Sequence, residues 1–296
     1  MPRSSTLLLS RPELRRGYVF ALSAITIFAL QDGISKHLGQ TYSPVFVTMI
    51  RYWAFAAFAL VLAGRARGGI AGTARSKSRP LQVARGVLLA LQIVLAITCF
   101  AVIGLARTQA IFAATPLIAT VMSVVLLGET ARPLRWAGVV LGLGGVLLIL
   151  KPHGDFFDAT VLLAVLCSVM FASYSVMTRL AGRLDPPMTS FFYTGVVGCI
   201  VVSAVGPFYW TNMSPGDWAW MATLCLTSVT SHYLLIKAYN ILDASAVQPL
   251  AYLSVVYASV MGPVIFHETV QLTTYAGAAI VVSGGLLSIW SERRGR

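Results

Sequence analysis

From Gly17 to Trp290 the chain alternates between apolar runs of about twenty residues and short clusters of Gly, Pro and basic side chains. A helix rises 1.5 Å per residue, so a run of about 20 residues matches a hydrocarbon core about 30 Å thick. With those clusters as boundaries, the pattern predicts ten spans: 17–38, 44–63, 86–105, 108–127, 132–150, 158–180, 187–207, 216–242, 244–266 and 272–291. The expected fold class is therefore an all-α polytopic membrane protein. Most connections are short and leave no room for a soluble domain. The longest, Gly64 to Arg85, is rich in Gly and Arg and reads as a flexible basic loop. The opening MPRSSTLLLSRPELRRG has only three consecutive apolar residues, too few for a cleavable signal, so the first span should be retained.

Composition agrees with a lipid solvent. Of 296 residues, 57% are hydrophobic and 11% charged, and mean hydropathy is +0.79. A soluble domain carries about a quarter charged residues.

The chain also repeats itself. GETARPLRWAGVVLGLGG, from Gly128, returns 139 residues later as HETVQLTTYAGAAIVVSGG, with Gly128 opposite His267. Gln109 to Leu150 aligns without a gap onto Gln248 to Ile289, with Met122/Met261, Glu129/Glu268, Gly138/Gly277 and Gly145/Gly284 identical. An earlier block aligns at an offset of 143, through Phe28/Phe171, Gly39/Gly182 and Pro44/Pro187, with Lys36 opposite Arg179. The basic loop absorbs the difference. Each half then holds five spans, and an odd number inverts the second half. The expected organisation is a basic N-terminus (1–16), a first five-helix repeat (17–150), a second, inverted repeat (151–291) and a tail (292–296). Inverted repeats suit a carrier, because two similar halves can open a central site to either side in turn.

Charge orients the chain. The formal net charge is +12. Eighteen basic residues fall on one side of the ten spans, including Arg3, Arg11, Arg15 and Arg16, the cluster from Arg65 to Arg85, Arg179, and Arg293 to Arg296. Only Lys36, Arg107 and Lys151 fall near the other. By the positive-inside bias both termini are expected in the cytoplasm. No basic-aromatic binding module is present, so nucleic acid is not an expected partner.

Four features have bland readings. Cys99, Cys167, Cys199 and Cys225 lie within spans, make no CxxC pair and read as packing. Glu129-Thr130 and Glu268-Thr269 stand just before helices and read as helix-terminus residues. HETVQ resembles a zinc-binding HExxH, but Gln271 stands where the second His must be, so no metal is expected. Gly138, Gly142 and Gly145, echoed by Gly277 and Gly284, form a small-residue stripe for close helix packing, with a dimer face as the alternative.

Polar groups within the spans are more telling. Asp32 lies about 9 Å and Arg51 about 10 Å inside the outer surface, from the helical rise. Lys36 is one turn beyond Asp32. An unpaired charge there costs several kcal/mol, so Asp32 is expected to pair with Arg51 and Lys36, as a structural clasp or a substrate site. Their repeat equivalents at 32 and 51, Ser175 and Thr194, are neutral. His232, with Ser228 and Tyr239 on its helical face, Gln92 in span three, and Gln31 and Tyr174 in spans one and six add further inward polar positions. Gln248, Tyr252 and Ser259 share a face of span nine. Together these would line a cavity for a zwitterion with an apolar side chain. Pro116, Pro249 and Pro263 each remove a backbone donor and read as hinges. No Arg cluster marks a phosphate site.

Two five-helix halves, SK late in span one, an Arg inside span two and P…GE before a Gly-rich span resemble the EamA family of the drug/metabolite transporter superfamily, and within it the YddG-type amino-acid exporters. The resemblance implies a bacterial inner-membrane carrier with a cavity between its halves. Pro116 faces Val255, so the second half departs from the first in its hinge. The reading is an alternating-access exporter of amino acids or related small metabolites, needing no cofactor and able to act as monomer or dimer. With Asp32 beside Arg51 and Lys36, it is expected to be a facilitator rather than a proton-coupled antiporter. An intramembrane enzyme would need a nucleophile–base or metal constellation, and the sequence offers none. A non-transporting membrane assembly factor is the third reading.

Overall fold

A computed structural model describes residues 11–127, 133–150, 159–239, 241, 250 and 252–293. Its helices are α1 (Arg11–Thr41), α2 (Pro44–Arg65), α3 (Gly69–Thr73), α4 (Arg79–Val102), α5 (Leu105–Phe112), α6 (Thr115–Leu127), α7 (Pro133–Leu150), α8 (Ala159–Gly182), α9 (Pro187–Val205), α10 (Pro215–Tyr239), α11 (Leu253–Phe266) and α12 (Leu272–Arg293). Each expected span has a helical counterpart. Six segments are long and apolar enough to cross a membrane, and Trp136–Ile149, Leu253–Phe266 and Leu272–Leu287 are shorter apolar helices.

Proline sets several starts. α2, α4 and α9 each carry Pro in their first two positions, where no intrahelical N–H is needed and the fixed φ suits the turn. That places the start of α4 at Arg79 rather than at 86, which brings Gln82 and Arg85 into the helix. The expected fourth span is split. The helix ends at Phe112, Ala113 and Ala114 turn, and α6 begins at Thr115 with Pro116 on its first turn. Pro263 lies inside α11, which continues through it to Phe266.

The halves interlock. One apolar cluster joins Phe100, Leu105, Ile111 and Leu117 of the first half to Cys167, Val255, Ala258 and Val281 of the second. Another joins Phe46, Met49, Tyr52 and Ile97 to Val202, Met221 and Leu224.

Hydrogen bonds identify the two ends of the bundle. At one end Lys36 and the start of α5 meet Glu268, and Tyr42 donates to Asp217 at 2.7 Å. At the other, Asp185 accepts from Ser76 Oγ at 2.5 Å and from Lys77 N at 2.8 Å. Lys36 thus lies at one end and its repeat equivalent Arg179, on the last turn of α8 beside the Asp185 loop, at the other. The repeats run in opposite senses.

The glycine stripe packs α7 against α12. A Cβ on Gly145 would lie 2.7 Å from Gly277 O, and one on Gly284 would lie 2.5 Å from Gly138 O. Both backbones meet where only glycine fits.

Candidate functional site

Three helices each present a pair of side chains four residues apart, which share one helical face. Arg51 and Phe55 come from α2, Leu89 and Ile93 from α4, and Ser228 and His232 from α10. With Tyr52 and Thr194 they enclose a small cavity between the two halves. The space open to the centre of a water molecule is about 10 Å³, room for about one water. A metabolite would require the helices to part.

Arg51 is buried and its Nε donates to Ser228 Oγ at 2.9 Å, across the interface between the halves. His232 Nδ1–H donates to the Ser228 carbonyl at 2.8 Å. Its ring meets Phe28 and Phe55 edge-on, each at a centroid distance of 5.0 Å. The result is an aromatic wall beside a single guanidinium.

The expected ion-pair cluster is not formed. Asp32 Oδ2 instead accepts from Gln109 Nε2 at 2.7 Å, while Arg51 acts on Asp32 only through space. Lys36 pairs with Glu268. α1 thus presents Asp32 to α5 and Lys36 to the loop after α11.

Glu268 is seated with care. His267 ends α11 in the left-handed region, at φ 52°, and Glu268 N–H returns to Gly262 O at 3.1 Å. Its carboxylate then accepts from Leu105 N at 2.6 Å and from Ala106 N at 3.1 Å, the orphan donors at the start of α5. A Cβ on Gly262 would sit 2.6 Å from the carboxylate, and one on Gly104, at φ 98°, would sit 3.0 Å from it. Glu268 is a helix-terminus residue as expected, but the helix belongs to the other half.

The remaining predicted positions are dispersed. Gln92 donates to Cys167 Sγ at 3.3 Å, between α4 and α8. Tyr174 Oη accepts from Arg85 Nη2 at 3.2 Å. Gln31 is buried, as is Ser35 one turn on, and neither Gln31 Oε1 nor Ser35 Oγ has a partner among the described residues. Tyr252 is buried against Gly285, its hydroxyl also without a partner among the described residues. Ser259 offers its carbonyl to Tyr275 Oη at 3.3 Å. Tyr239 closes α10. Gln248 and Pro249 lie outside the described residues. The sequence predicts one cavity lined by the polar faces of four helices; of its predicted residues that are described, Arg51, Ser228 and His232 share the cavity.

The sequence missed a second buried guanidinium. Arg85, expected in the loop, is 2% exposed. It donates from Nε to Thr178 at 2.9 Å, from Nη1 to Gln82 at 2.5 Å and from Nη2 to Tyr174 and Thr194. Every nitrogen has an acceptor, so Arg85 ties α4 to α8 and α9. The signal for it was Ser78-Arg79-Pro80, a helix start. Among the described residues no three His, Cys, Asp or Glu side chains gather as a metal site.

Comparison with known proteins matches the sequence to the EamA-like transporter family over residues 15–151 and again over 158–290. The chain is 27% identical over 280 residues to an S-adenosylmethionine uptake transporter of Rickettsia prowazekii, covering 93% of this chain and 92% of that one. It is 28% identical over 197 residues to a riboflavin transporter of Vibrio cholerae, covering 63% of each. It is 23% identical over 273 residues to the pseudopaline exporter CntI of Pseudomonas aeruginosa, covering 91% of this chain and 94% of that one. A solved crystal structure shares the fold at a TM-score of 0.66 and 20% identity, covering 96% of this chain and 100% of its own.

Proposed function

The chain belongs to the EamA-like transporter family, a family of carriers rather than enzymes, and from that premise we propose that it exports amino acids or related small metabolites by alternating access. The supporting observation is the cavity between the halves, where one guanidinium faces an aromatic wall and the space is closed to anything larger than water. A mixed site of this kind suits a small solute with a polar head and an apolar or planar body. The named cargoes of the relatives, S-adenosylmethionine, riboflavin and pseudopaline, widen the panel beyond plain amino acids.

The expected setting is a bacterial inner membrane with both termini in the cytoplasm. The proposed mode is facilitation. Its support is that Asp32 and His232 are each engaged within the bundle, Asp32 by Gln109 and His232 by the Ser228 carbonyl. Counterflow in proteoliposomes tests the reading with radiolabelled neutral and aromatic amino acids, S-adenosylmethionine and riboflavin. Exchange of at least one, saturable and absent from empty liposomes, is expected. No exchange of any would sink the reading.

A further inference from the structure

Arg51 is 8% exposed, and its one hydrogen bond among the described residues runs from Nε to Ser228. No described residue accepts from the two terminal nitrogens, which belong to a residue lining the cavity. The contrast with Arg85 is instructive. There every guanidinium nitrogen is bonded, as a structural arginine within a membrane requires. Arg51 has a fork left over, and a planar guanidinium fork matches a carboxylate through two parallel N–H···O bonds.

We infer that the terminal nitrogens of Arg51 receive the carboxylate of the transported solute, and that this contact selects acids over their amides and amines. The inference rests on the carrier reading and names the chemistry of its site. The charge balance favours a monoanion. One guanidinium faces the cavity and supplies a single positive charge, so a doubly charged phosphate would be under-compensated. The neighbouring rings of Phe55 and His232 offer the rest of the molecule an apolar wall. Ser228 holds Nε and so aims the fork, and the cavity opens around it when the helices part.

Paired probes test this in proteoliposomes: tyrosine against tyramine, methionine against methioninamide, and S-adenosylmethionine against its decarboxylated form. Wild-type protein should exchange at least one acid and favour it at least tenfold over its partner. Arg51→Gln should raise the half-saturation concentration for the acid at least tenfold and reduce its preference over the amide or amine by a similar factor. Arg51→Lys, which keeps the charge but not the fork, should fall between them, and it carries the test if Arg51→Gln does not fold. A purely structural Arg51 would lose acid and amide exchange together, and that result overturns the inference. Equal exchange of acids and their partners by wild type overturns it too, while leaving the carrier reading intact. No exchange of any probe removes both.

Discussion

Lys36 and Glu268 form an ion pair between residues 232 apart in the chain, one late in the first helix and the other in the last interhelical connection. Their side chains are 3% and 13% exposed. The same carboxylate terminates α5, so three segments from both halves meet on one group. Parting the bundle at this end must separate them.

Removing one partner of a buried pair costs about 3–5 kcal/mol, because the other charge is left uncompensated. Glu268→Gln should therefore lower thermal stability in detergent sharply, as should Lys36→Met. The double variant should recover part of the loss. A cycle of melting measurements checks this, and additive losses would show that the pair is energetically silent. Cysteine at Ser35, buried in the native chain, should also label faster in the Glu268→Gln background.

Sidedness follows from the inverted repeats. Cysteine at Arg75 should react only with reagent added from the cytoplasm, and cysteine at Thr269 only with reagent added outside. Both positions are exposed. Labelling of both from the same side would end the proposed orientation.

The interruption at Ala113 and Ala114 separates α5, which is held by Glu268 and Asp32, from α6. Pro116→Ala restores a backbone donor near that break. Exchange is expected to slow several-fold with little change in affinity, read from counterflow rates and half-saturation concentrations. An equal loss in both would mean that Pro116 shapes the site instead.

Asp32→Asn keeps the size of the side chain and its bond from Gln109. A facilitator should then retain exchange that varies little between pH 6 and 8 by the span of about two units over which physiological groups titrate. Uphill movement of solute driven by an imposed pH gradient, and lost in Asp32→Asn, would make Asp32 a coupling residue.

At the opposite end, burial raises the pKa of Asp185, but hydrogen bonds from Gln82, Ser76 and the Lys77 backbone outweigh it and hold the carboxyl below its ordinary 3.8. A depressed carboxylate stabilises the fold above its unfolded value and loses that effect as pH falls through the folded one. Hydrogen exchange over residues 74–79 should thus stay slow from neutral pH down to 3.8 and accelerate below it, after correction for intrinsic rates. Asp185→Asn should show the fast exchange at neutral pH. Slow exchange in that variant would remove Asp185 as the loop's anchor.

Hydropathy and repeat spacing made the helices and the duplication legible, because both depend on residues near one another or on a constant offset. The partners of polar groups were not legible. Glu268 has the local signature of a helix terminus, yet its helix begins 163 residues earlier. Asp32, Arg51 and Lys36 looked like one cluster from helical spacing alone. Asp32 and Lys36 instead take partners on α5 and in the loop after α11, and no periodicity within α1 encodes that choice. Arg85 was obscured by the basic residues around it, although Pro80 marked the helix that buries it.

The contacts of α7 with α12 carry a further consequence. Gly145 meets Gly277, and exchanging each for its repeat equivalent gives Gly284 against Gly138, the other close contact. Gly145 against Val281 converts in the same way to Gly284 against Gly142. The surface is self-complementary, as in an isologous two-fold dimer. A chain of half this length would already carry both sides of the joint, and two identical copies would fit only if inserted in opposite directions. Within one polypeptide, the covalent link between the copies sets both their stoichiometry and their relative orientation.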